Sequence, residues 1–328
     1  MSIRTTIIGS YPKVVETGTD NLPGTIDRWQ RQLVSDEGLE QEIQKVIRRV
    51  VQEQEGAGLD LVTDGQIRWE DLGHPLARSA QGIRRGALRR FFDNNVYYRR
   101  LELPALSGAE GNGGVQWQKS AAAEEFQFAS KLARKPVKVA LPGPLTLVTF
   151  TEIQKGQIPS ALLSLYSDLL RKEVEALEKA GVKEIQIDEP AFKAGEPLLE
   201  AAIEQVNRIF KGIKARRWVA CYFHDPSAIL PALAKLQVEV LSLDLVTGPK
   251  AAERLKEFKW NWEIALGLVD ARNTKLESAP EIIAQIKKIA AAVPLNRLWV
   301  SPNCGLEFLP HEAAVKKLRL LSQVGQGI

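Results

Sequence analysis

A chain of 328 residues, 45% hydrophobic and 26% charged, has the make-up of a soluble globular protein with room for a large core. The net charge of +4 is small and the basic residues are scattered, except in RRGALRR (84–90), which reads as a solvated insertion face rather than a nucleic-acid surface. No apolar run is long enough to cross a membrane, MSIRTTIIGS is not a signal peptide, and cysteines at 221 and 304 make no disulfide framework, so the expected compartment is the cytoplasm.

The first β-type run, RTTIIGS (4–10), leads into an irregular segment over 11–35. Leu39, Ile43, Val46, Ile47, Val50 and Val51 then recur at helical spacing and predict a helix over 36–58. LDLVTDG (59–65) is the second run. The stretch between it and the third run is too long for one connection, so 66–117 reads as an insertion on one mouth of the fold, with 94–114 a strand or hairpin ending in a Gly-rich turn. A helix over 118–134 precedes the third run, VKVALPGP (137–144). A helix over 159–181, opened by Pro and Ser and closed by Gly, leads to EIQIDEP (184–190). WVACYF (218–223), VEVLSLDL (238–245), EIALGLVD (263–270) and RLWVSPNC (297–304) complete eight runs, with a helix over 279–293 before the last.

Strands apolar on both faces, each followed by a helix, predict a parallel sheet covered by helices. Eight such units predict a closed (β/α)8 TIM barrel formed as a single domain over 1–328. A doubly wound open sheet is the alternative. It would carry a Gly-rich phosphate loop after its first strand, and GSYPK (9–13) is not one.

Barrel enzymes place their reacting groups at the C-terminal ends of strands. Ser10, Asp64, Gln66, Asp188, Glu189, Cys221, His224, Asp244, Asp270 and Cys304 gather there. Cys221, Asp244 and Cys304 are sulfur and carboxylate donors suited to one Zn2+, with His224 the candidate for a fourth position. Each also has a plainer reading: a buried thiol as a small hydrophobe, an aspartate as a helix cap, a histidine in a turn. The adjacent carboxylates of QIDEPAF are costly to desolvate unless they meet a cation, either a ligand's ammonium group or a neighbouring Arg or Lys.

TTIIGSYP, DEPAF, CYFHD and LWVSPNCGL resemble, in that order, motifs of the catalytic domain of cobalamin-independent methionine synthases. GLVDARNTKLES (267–278) resembles that family's strand-seven segment. The likeness spans nearly the whole chain and covers only the family's C-terminal barrel, as in short core methionine synthases, which are implicated in taking a methyl group from a methylated corrinoid. It implies a zinc-dependent transfer from methylcobalamin, or from a corrinoid carrier protein, to the thiol of homocysteine, giving methionine. Zinc would be held by Cys221, Asp244 and Cys304, with Asp for the family's Glu and Val219 at its histidine position. Either His224 ligates instead, or water or substrate fills the gap. Homocysteine contacts are implied for Ile8, Gly9, Ser10 and Asp188, with Glu189 beside it and Gln66 where the family has an acid. Arg272 stands at the position of the family's proton-shuttling histidine, next to Asp270. A zinc alkyltransferase acting on coenzyme M, and a non-catalytic barrel binding thiols or amino acids, are the alternatives.

Overall fold

The apolar runs become the staves of a barrel. The computed structural model describes residues 3–15, 22–91, 96–104, 113–153, 157–258 and 261–328. Seven strands lie parallel in the spatial order Arg4–Thr5, Leu298–Pro302, Glu263–Val269, Val240–Asp244, Arg216–Cys221, Glu184–Asp188 and Lys138–Pro142. The second run supplies the eighth stave through single bridges, Thr6 to Leu61, Ser10 to Gly65 and Val62 to Val137. Side chains replace part of its ladder. Asp60 accepts from the Thr5 backbone N–H at 2.9 Å, and Thr63 Oγ1 donates to the Gly9 carbonyl at 2.6 Å.

Every residue of Lys138–Pro142, Val240–Asp244 and Leu298–Pro302 is buried, as strands covered on both faces require. Trp218 and Trp299 pack edge to face, with ring centres 5.0 Å apart. They cluster with Leu61, Val240 and Ala265. Side chains from five different staves meet in this way only inside the barrel. Outer helices run along Asp36–Ala57, Ala121–Leu132, Pro159–Lys179, Ala279–Ile289 and His311–Gln326. The first is capped by Ser35, which accepts from Gly38 N, and is closed by Gly58 in the left-handed region at φ 89°.

Two stretches differ from the sequence expectation. The segment expected to be irregular holds a helix, Leu22–Gln30, while 16–21 lie outside the described residues. RRGALRR is a mostly exposed strand, Arg84–Arg90, paired antiparallel with Tyr97–Glu102, so the solvated face is also half of a hairpin. Most of the expected Gly-rich turn, 105–112, lies outside the described residues. No described helix is long and apolar enough to cross a membrane.

Candidate active site

A cavity of about 390 Å3 opens at the C-terminal ends of the strands. Ile8, Ser10, Gln66, Asp188, Tyr222 and Glu307 line its floor, with Lys13 at the side. The hairpin contributes an aromatic wall: Tyr98 stacks on Phe150 at 4.0 Å, and Phe91 meets Phe150 and Phe223 edge to face. A larger groove of about 1210 Å3 lies on the barrel's flank and includes none of the expected site residues.

Asp188 ends its strand with 1% exposure. Gln186 Nε2 donates to its Oδ1 at 2.6 Å, and the Tyr222 hydroxyl donates to Oδ2 at 3.3 Å. Burial pushes this carboxyl up to about 7, against the pull of Gln186, the Lys138 ammonium and Tyr222. Gln66 is 7% exposed, and its Nε2 has no hydrogen-bond partner. Its backbone is left-handed at φ 53°. A Cβ on Gly9 would stand 2.7 Å from that Nε2, so only glycine lets the amide lie against the first strand. An orphaned buried donor costs on the order of 1–3 kcal/mol, which a ligand acceptor would recover.

Ser10 donates to the Glu307 carboxylate. Burial raises the Glu307 carboxyl, while the Ser10 hydrogen bond and the charge of Lys13 lower it. Sequence reading missed Glu307; its only signal was a carboxylate three residues beyond Cys304 at the end of the last strand. Glu189, expected beside the substrate, instead caps the helix Pro144–Phe150. Its oxygens accept from Leu145 N at 2.9 Å, Thr146 N at 3.0 Å and Thr146 Oγ1 at 2.7 Å.

The expected zinc donors are differently engaged. Asp244 Oδ1 accepts from Val246 N, Thr247 N and Asn303 Nδ2 at 3.1, 2.8 and 3.2 Å. Its Oδ2 accepts from Phe223 N and Thr247 Oγ1 at 3.1 and 2.8 Å. The carboxylate thus ties three strand ends together and holds Phe223 in its left-handed backbone, φ 74°. Cys221 and Cys304 are buried free thiols, and burial pushes both well up. The Cys221 thiol feels chiefly Glu189 and Asp188; the Cys304 thiol feels Glu307, Asp244, Arg272 and Asp270. His224 is lowered by burial and by the charge of Lys193, a poor neighbour for a metal. Val219 is wholly buried. Among the described residues, no three His, Cys, Asp or Glu side chains gather so as to hold a metal ion. No three of the expected Cys221, Asp244, Cys304 and His224 come together here, and both Asp244 oxygens are engaged by protein donors. Asp270 Oδ1 accepts from Arg272 N at 2.9 Å, and the Arg272 guanidinium lies 5.6 Å from the Phe223 ring centre at the rim.

An α/β barrel with its polar groups collected at the C-terminal strand ends is the frame of barrel enzymes. Residues 3–326 match the family model described as "Cobalamin-independent synthase, Catalytic domain", and the chain belongs to that family of methyltransferases. Methionine synthases of Sulfolobus acidocaldarius and Saccharolobus solfataricus are 29% and 26% identical to it. Those alignments cover 96% of this chain and 88% and 91% of theirs. The B12-independent methionine synthase of Shewanella sp. W3-18-1, solved with selenomethionine, shares the fold with a TM-score of 0.82 at 23% identity, over 99% of this chain and 97% of that one.

Proposed function

We propose that this methyltransferase methylates the thiol of homocysteine, giving methionine, with a methylated corrinoid as donor. One observation carries the reading of the acceptor. The Asp188 carboxylate and the unpartnered Gln66 Nε2 face one small cavity, an anion and a donor matched to the ammonium and carboxylate of an α-amino acid. The Shewanella relative was solved with selenomethionine, the selenium counterpart of the product. A coenzyme M-type acceptor, which bears a sulfonate and no ammonium, would meet two buried carboxylates, Asp188 and Glu307.

In this reading Asp188, ionised and held by Gln186 and Tyr222, takes the ammonium group. Gln66 Nε2, with Lys13 beside it in the cavity lining, receives the carboxylate. Phe91, Phe150 and Phe223 shield the thiol end from water. The thiol proton passes to Glu307, whose carboxyl burial has raised. The thiolate then attacks the donor methyl group: a sulfur–carbon bond forms, the cobalt–carbon bond breaks, and its electron pair stays on cobalt. A corrin ring is too large for a cavity of about 390 Å3, so the donor, as methylcobalamin or on a carrier protein, docks over the mouth. Arg272 and Asp270 stand at that rim.

The test is methionine formation from homocysteine and methylcobalamin by the purified protein. Product that is lost in Asp188→Asn supports the reading; no product, together with no homocysteine binding, refutes it.

A further inference from the structure

Lys138 opens the third barrel strand and is 1% exposed, an expensive place for an ammonium group. None of the described ion pairs involves it. Instead its Nζ donates to the Ile7 carbonyl at 2.8 Å and to Gln186 Oε1 at 2.6 Å, and stands 4.7 Å from the Trp218 ring centre. Burial pulls the ammonium down to about 7, while the charges of Asp188 and Glu184 hold it up.

The consequence runs through one amide. An ammonium group has donors only, so Gln186 must turn its oxygen to Lys138. That leaves Nε2 pointing the other way, where it donates to the Ile8 carbonyl at 2.8 Å and to Asp188 Oδ1 at 2.6 Å. Reversed, the amide would set its oxygen against two further oxygens. Lys138 thus braces the end of Gln186 that meets Asp188, together with the Ile8 carbonyl, and it also grips the backbone one residue before Ile8. A residue needed only for packing would be served by a hydrocarbon of the same length.

We infer that Lys138 is a positioning residue for the acceptor amino acid, acting through Gln186 to hold Asp188 and the Ile7–Ile8 backbone in binding geometry. The inference rests on the reading in which Asp188 takes the acceptor's ammonium group. It explains why a cation sits in the closed centre of the barrel, where no ligand reaches it.

The experiment compares two thiols by calorimetric titration of the full chain: L-homocysteine, and 4-mercaptobutanoate, which lacks the ammonium group. Wild type is expected to prefer homocysteine. Lys138→Met is expected to weaken homocysteine by about tenfold or more while changing 4-mercaptobutanoate by less than about threefold. Gln186→Met should do the same, and the double variant should lose no more than either single one, because both break the same chain. Gln186→Met keeps Lys138 and, should Lys138→Met not fold, overturns the role if it leaves homocysteine affinity unchanged. Unchanged homocysteine affinity in the folded variants, or equal loss of both thiols, overturns the positioning role while leaving Asp188 in place. A wild type that binds both thiols equally defeats the Asp188 reading itself, and the inference with it.

Discussion

The two sides of the barrel mouth treat their polar groups in opposite ways. Around Asp188 and Gln66 a buried donor is left without a partner and a carboxylate is held above its ordinary range, facing open space. Around Asp244 both carboxylate oxygens are taken by backbone, hydroxyl and amide donors, and both neighbouring thiols are buried. Unmet hydrogen-bonding capacity marks the side where a ligand completes the structure; saturation marks the side where the structure completes itself. The contrast supports the proposal that the first group binds the acceptor, although sequence motifs drew more notice to the second.

The largest expected effect falls on the saturated side. Asp244→Ala strands several buried donors and should lower unfolding free energy by roughly 3 kcal/mol, read by urea or thermal denaturation, with Asp244→Asn recovering part of it. A small loss of stability accompanied by loss of bound zinc would reverse the contrast. On the open side, Asp188→Asn should raise the KM for homocysteine by about thirtyfold, near 2 kcal/mol, with little change in stability.

The pH dependence is smaller and its sign is set by burial. Asp188, raised to about 7, is mostly protonated at pH 6 and mostly ionised at pH 8, so homocysteine should bind about tenfold more tightly at the higher pH. In Asp188→Asn the profile should flatten. For folding the sign is opposite: a raised carboxyl contributes stability that is present below its unfolded value and lost as pH rises through about 7. Lys138, lowered from 10.5 to about 7, contributes stability present above its unfolded value and lost as pH falls from there to about 7, on the alkaline side of the Asp188 window. The smallest effect is expected for Cys221→Ala and Cys304→Ala, which should shift homocysteine affinity by less than about threefold; a tenfold loss from either would return the sulfurs to the site.

The staves were legible because strands buried on both faces need uninterrupted apolar runs, and each run from VKVALPGP to RLWVSPNC ends within two residues of its strand, while the first two runs are held largely by single bridges. The hairpin Arg84–Arg90 was not, since RRGALRR has too few apolar residues to alternate and is held by its pairing with Tyr97–Glu102. Asp188 and Gln66 were legible as polar residues at stave ends. The commitments of Asp244 and Glu189 were not, because whether a carboxylate after a strand caps a turn depends on where loop N–H groups lie, which no spacing encodes. Lys138 was hidden for another reason. A lysine at the start of an apolar run resembles a solvent-facing edge, and only barrel closure turns it inward against Gln186 and Trp218.

The most direct measurement is a crystal structure of the protein soaked with homocysteine. The ammonium nitrogen is expected within hydrogen-bonding distance of Asp188, with a carboxylate oxygen on Gln66 Nε2. A ligand bound with its sulfur on a metal between Cys221 and Cys304, or seated away from Asp188, would contradict it.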